Sequence, residues 1–428
     1  MMPSLLGLPL EVLMQIVQQT IPAEFEATAL SCKALFAAST PFRAQDEEQD
    51  EEVLNSLEAE VPAALRNLVL TSPFIEHFGG DPDDWIQGIQ QSGIYADVFL
   101  LTLLSQVRRV TLYPRWDELD PCQTHYVLSN KHLWPVLKQI TYQAKHSEEF
   151  PGAPLSMLST IESSRDFSSD EKSPLTPFVP FLAINSISEV SLVSCVFYDD
   201  GYTGMAFDPL VECYSTNLRT LNVDASVAGP KELSQLLSRI PNLEIFRFSH
   251  QTKHHGCGYL YNFGAFLDTV QNICGKTLKE LSVRLIILES GGSKGATLVD
   301  MTRFQKLAVL GINIEMLCGP PYDSSMRDLD AEEIESVGSP AWPKLINMLP
   351  VSIEKVNLYL DTFEDDYLKC ISHLVEDLPE ARVTKLPCLD KLSLFVHSTI
   401  PDKALEVLNA AKRSGFSILK DRTSKPLL

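Results

Sequence analysis

The chain lacks the marks of several large protein classes. Its nine cysteines are odd in number, scattered, and never spaced as Cys-x-x-Cys. That argues against both a zinc ribbon and a disulfide framework and makes most of them reduced core residues. No run approaches the ~18 uncharged apolar residues that span a bilayer; the most apolar stretch, Ala96–Leu104, carries Asp97 and Thr102. Positive charge is scarce, with 35 Lys plus Arg against 56 Asp plus Glu and a net charge of −21. Such a surface repels a phosphate backbone or an anionic membrane. No Lys or Arg precedes the first apolar stretch and Glu11 follows almost at once, unlike a secretory signal. The expectation is a protein of the cytoplasm and/or nucleus with neither nucleic acid nor membrane as partner.

What is present is the composition of a folded protein, 45% apolar and 21% charged over 428 residues. That length fits three ordinary domains or one extended array. Residues 1–44 read as a helical docking module. Pro9 opens a helix, Val12, Leu13, Ile16 and Val17 form its apolar stripe, and a second helix from Glu24 turns Ala27, Leu30 and Ala34 inward. So short a unit cannot hide its apolar surface alone. Residues 45–64 are an acidic linker: Asp46–Glu60 holds eight acids and no base. With Asp323–Glu335 it carries most of the net charge, so the remainder is only mildly acidic.

Over 65–428 a pattern of apolar-x-x-apolar-x-apolar recurs nine times. It begins at Val107, Leu137, Ile187, Leu218, Leu243, Leu278, Leu307, Ile353 and Leu389. Helical periodicity fills several gaps, over Pro230–Ile240, Tyr259–Cys274, Asp365–Leu378 and Pro401–Lys412, with Gly275 expected as a C-terminal cap. The alternation predicts an α/β leucine-rich-repeat solenoid, curved, with strands lining its concave face. Insertions are expected at about 146–177 and 319–343. The first holds Ser168, Ser169, Ser173-Pro174 and Thr176-Pro177, which read as kinase sites in a loop.

The N-terminal residues carry a resemblance. Leu8-Pro9-Leu10-Glu11-Val12-Leu13-x-x-Ile16, followed by Leu30-Ser31-Cys32-Lys33-Ala34-Leu35, resembles an F-box, with Leu35 where an aromatic residue commonly stands. The remainder is similar to the divergent leucine-rich-repeat regions of fungal F-box proteins. The resemblance implies a non-enzymatic, cofactor-free substrate receptor of a Skp-cullin-F-box ubiquitin ligase. The F-box would dock the Skp adaptor, which links to the cullin scaffold, and the repeats would hold a target protein. The docking residues are Leu8, Pro9, Val12, Leu13 and Ile16, then Leu30, Cys32 and Leu35, a spacing that suits helix-in-groove recognition. The candidate substrate face consists of the outward residues Arg219, Asn222, Arg247, Lys279, Arg284, Asn357 and Lys391. The alternative is a repeat scaffold for protein–protein interaction outside any ligase.

Other chemistry is thinly signalled. Gly291-Gly292-Ser293-Lys294-Gly295 satisfies Gly-x-Ser-x-Gly, which makes a serine hydrolase around Ser293 a remote alternative. Gly275-Lys276-Thr277 lacks the first glycine of a phosphate loop and stands between a helix and a strand, the reverse of the required order. His250, His254, His255 and Cys257 are the only metal-ligand types that cluster, and no second pair stands at a zinc spacing, so no metal site is expected.

Overall fold

The structure is a computed structural model. It describes residues 63–420 apart from 92, 113–115, 117–118, 120–131, 164–172, 199–206, 208–212, 252–260, 287–292, 295–299, 319–343 and 397–399. The expected F-box-like module and acidic linker thus lie outside the described residues, except for the last two linker residues. The described residues fall into two compact units, one of 63–163, 173–192 and 207–218, the other of 193–198 and 219–420.

The first unit opens with three helices, α1 (Ala63–Leu70), α2 (Pro82–Gln91) and α3 (Gly93–Leu101), with a short π-helical turn, Ile75–Gly79, between α1 and α2. Pro82 stands at the first turn of α2, where its missing N–H is no loss, and Asp83 and Asp84 complement the helix dipole. Trp85 anchors this layer: it is fully buried, donates Nε1–H to the Gly79 carbonyl at 2.8 Å, and meets the Tyr95 ring edge-on at 5.2 Å. Then come β1 (Arg109–Leu112), α4 (Leu133–Lys145), β2 (Thr160–Ser163), β3 (Ser173–Pro174), α5 (Val179–Leu182) and β4 (Glu189–Val193). Strands β1, β2 and β4 are parallel, Val110 beside Ile161 and Ile161 beside Val190.

The second unit holds β5 (Cys195–Phe197), β6 (Thr220–Ala228), α6 (Pro230–Leu237), β7 (Ile245–His250), β8 (Tyr261–Asn262), α7 (Phe263–Cys274), β9 (Glu280–Leu285) and β10 (Ser293–Lys294). It continues with β11 (Val309–Asn313), α8 (Ile314–Cys318), α9 (Leu345–Met348), β12 (Lys355–Leu360), α10 (Asp365–Leu374), α11 (Leu378–Lys385), β13 (Lys391–Val396), α12 (Asp402–Arg413) and β14 (Phe416–Lys420). Its main sheet runs β6-β7-β9-β11-β12-β13-β14, every pair parallel. At most strand entries two successive N–H groups share one carbonyl of the strand before: those of Lys279 and Glu280 on Glu244, those of Glu354 and Lys355 on Ala308, and those of Asp390 and Lys391 on Glu354. This fixes a common register. Alternate residues turn inward, so that Phe246, Leu281, Leu310, Val356 and Leu392 form one buried row and Phe248, Val283, Ile312, Leu358 and Leu394 the next. Phe266 of α7 packs on Phe248 at 4.8 Å and on Phe246 at 6.1 Å between ring centres.

The solenoid expectation is corrected. The chain is α/β, but its strands form parallel sheet packed with helices and not a stack of repeated coils. A solenoid needs each coil to present the same shape to the next. Here one eight-residue helix, α6, joins β6 to β7, whereas two helices, α10 and α11, join β12 to β13. The expected strand at Leu137 is also overturned: Leu133, Val136, Leu137, Ile140 and Ala144 are the buried stripe of α4. Of the triplet Leu137-Ile140-Tyr142, Leu137 and Ile140 share the helical stripe while Tyr142 is exposed, and length favours the helix, because thirteen residues exceed a usual strand. Strands β2 and β14 arise where no triplet begins. The first insertion is folded in part: Ser173 is 2% and Thr176 0% exposed, so neither is open to a kinase, while Ser168 and Ser169 lie outside the described residues. Among the described residues no helix is long and apolar enough to cross a membrane.

Candidate functional site

The face of the second unit's sheet opposite the apolar rows carries polar side chains in strand register. One row places Asn222 beside Arg247, Arg247 beside Ser282, Ser282 beside Gly311, Gly311 beside Asn357 and Asn357 beside Ser393. Strand periodicity brings these together, since residues two apart share a face. Arg247 is bound on both sides, donating Nε–H to Glu280 at 2.7 Å and Nη1–H to the Asn222 side-chain carbonyl at 3.1 Å. Its charge therefore orders neighbouring strands. Gly311 leaves a notch in this row: a Cβ there would stand 2.7 Å from Ser282 Oγ and 3.5 Å from the Tyr359 ring.

Towards the strand exits the face becomes aromatic. The Arg284 guanidinium lies 4.5 Å from the centre of the Tyr359 ring, and Tyr359 stacks on Phe395 at 5.1 Å with 22° between planes. Cation, phenol and phenyl thus form a continuous platform across β9, β12 and β13. Beside it lies a buried acid. Glu315, 2% exposed, accepts the Asp361 N–H at 3.3 Å through Oε1, and its Oε2 has no hydrogen-bond partner among the described residues. Asn313 is clamped between the Leu285 N–H, which its Oδ1 accepts at 3.2 Å, and Asp361 Oδ2, to which its Nδ2 donates at 2.7 Å. Burial, reinforced by the Asp361 charge, pushes the Glu315 carboxyl up to about 7.

At β6 the backbone departs from regular strand. Ala225 sits at φ 47°, where the β6–β7 register shifts between Val223 and Ser226. Its N–H is held by Asp224 Oδ1 at 3.0 Å and Ser249 Oγ at 2.6 Å, and Ser249 in turn donates to Asp224. The bulge is thus fixed by a buried acid–hydroxyl pair. His250, at the end of β7, is fully buried, and burial pushes its pKa down to about 3, so it stays neutral.

Of the residues expected on the substrate face, Asn222, Arg247, Arg284 and Asn357 share this surface and Lys391 stands at its entry edge. Arg219 and Lys279 lie instead on the rim just before β6 and β9. Both reach Glu244, at 3.6 and 2.7 Å, and the Lys279 hydrogen bond holds that carboxyl below its usual range. Sequence reading did not single out Tyr359, Phe395, Lys355 or Ser393. The available signal was parity, since each stands an even number of residues from Asn357 or Lys391 within its own strand. The docking residues Leu8, Pro9, Val12, Leu13, Ile16, Leu30, Cys32 and Leu35 lie outside the described residues.

Ser293 stands in the two-residue strand β10, paired in parallel with Tyr261 of β8, and its neighbours 291–292 and 295–299 lie outside the described residues. His254, His255 and Cys257 lie outside the described residues, and among those described no group of three or more His, Cys, Asp or Glu could hold a metal ion. The sequence matches no family model and no curated protein.

Proposed function

We propose that the chain is a substrate-recognition adaptor of a Skp-cullin-F-box ubiquitin ligase, working in the cytoplasm or nucleus, with transfer chemistry supplied by other subunits. The observation that carries the reading is the N-terminal pattern Leu8-Pro9-Leu10-Glu11-Val12-Leu13 with Leu30-Ser31-Cys32-Lys33. It places apolar anchors at the spacing a helix needs to fill a groove on the Skp adaptor. The polar face of the second unit supports the other half of the role. It offers hydrogen-bonding groups, cations and an aromatic platform in fixed register, a composition suited to holding a protein segment.

The test is capture of the Skp adaptor and cullin by the full chain from extract and from purified components. Wild-type protein is expected to retain both, and Leu8→Ala/Pro9→Ala to lose at least nine-tenths of the adaptor. Equal recovery by the two proteins, or none by either, overturns the adaptor reading and leaves an interaction scaffold outside the ligase.

A further inference from the structure

Strands β12 and β13 carry three polar-face pairs in succession, Lys355 with Lys391, Asn357 with Ser393, and Tyr359 with Phe395. Neither lysine has an ion-pair partner among the described residues, although Arg219, Arg247 and Lys279 on the same sheet are all paired with carboxylates. Like charges set directly opposite each other on neighbouring strands repel. Next along the lane, Asn357 Oδ1 and Ser393 Oγ are buried without a hydrogen-bond partner among the described residues, and Ser393 is 0% exposed. Native structures leave few such groups unmet. The third pair is the stacked Tyr359–Phe395 platform with Arg284 against it.

We propose that this lane binds an extended acidic segment of a target protein, its Asp or Glu side chains meeting Lys355 and Lys391. Two unpaired ammonium groups at the strand entry call for carboxylate. The aromatic platform takes a flat or apolar side chain at the far end, and Asn357 Oδ1 and Ser393 Oγ lie beneath the lane, closed to direct contact with the ligand. Three rows two residues apart cover roughly 13 Å of strand, the length of about four extended residues. The inference names the substrate class for the adaptor reading and rests on it only in taking the ligand to be a protein.

The experiment is fluorescence anisotropy of the full chain with a fluorescein-labelled decapeptide of alternating Glu and Ala, and with its Lys/Ala counterpart. The acidic peptide is expected to bind more weakly as salt rises, and the basic one not at all. Lys355→Glu/Lys391→Glu is expected to weaken binding at least tenfold, and Lys355→Gln/Lys391→Gln less. Lys412→Glu/Arg413→Glu, on the exposed end of α12, is expected to change nothing. Near-identical circular dichroism of the glutamine variant shows that the fold is kept. Equal affinity for both peptides, no binding by wild-type protein at millimolar concentration, or undiminished binding by both lysine variants overturns the proposal. Capture of the Skp adaptor, run in parallel, separates the two readings, because peptide binding requires no ligase component.

Discussion

Glu315 shows how much one side chain depends on its surroundings. Nothing in its sequence neighbourhood marks it, yet burial beside Asp361 lifts its pKa from 4.5 to about 7. The folded state therefore holds a proton that the unfolded state releases between those values. This contribution is complete below pH 4.5 and is lost as pH rises towards 7. Glu315→Gln, neutral at every pH, should accordingly match the wild type at pH 4 and exceed it at pH 8 by up to ~3 kcal/mol, at 1.36 kcal/mol per unit. Urea midpoints across that range check it, and equal midpoints at pH 8 would refute the buried-acid assignment. Gly275 gives a second case. It is expected as a C-terminal helix cap; it is not among the positive-φ residues, and a Cβ there would lie 2.4 Å from the Gln271 carbonyl oxygen. Gly275→Ala should destabilise by roughly 1–3 kcal/mol, read as a lower denaturant midpoint at constant m. Burial also pushes the Cys274 thiol up to about 12. Native alkylation should therefore spare Cys274 and modify exposed Cys213 and Cys388.

At the level of elements, eight of the nine apolar triplets end in strands and one in a helix. The strands are legible because β-sheet periodicity is two and one face is apolar, as with Val356, Leu358 and Leu360 against Lys355, Asn357 and Tyr359. The Leu137 triplet misleads because Leu137 and Ile140 are a helical i, i+3 pair while Ile140 and Tyr142 mimic strand alternation, and Tyr142 is in fact exposed on α4. Strand β14 is missed for a different reason: Ser417 and Leu419 are exposed and Phe416 alone is buried, so no apolar alternation announces it. The energetic weight of the sheet–helix layer can be measured directly. Phe248 packs on Phe246 and Phe266 with no exposed surface; Phe248→Ala should cost about 3–5 kcal/mol. Leu405→Ala, on the exposed side of α12, should stay within ~0.5 kcal/mol. Calorimetric unfolding of the two variants beside wild type distinguishes them.

For the whole molecule, the proposed role divides between segments that can be tested one at a time. Leu8→Ala/Pro9→Ala should abolish adaptor capture and leave acidic-peptide affinity within a factor of two, while Lys355→Gln/Lys391→Gln should do the reverse. Loss of both activities in either variant would mean that one fold supports both and that the division is wrong. The sequence by itself determined the alternation of strand and helix and the inward rows of the sheet. Both are local matters of periodicity and spacing. The array it suggested was not what formed, because repeated triplets say where strands begin but not whether the chain between them repeats. Only the tertiary structure decided which charges on the polar face are neutralised by neighbours and which stand unpaired. That depends on cross-strand partners 25 to 48 residues away, such as Asn222 for Arg247 and Asp361 for Asn313. No local pattern encodes the register that brings them together.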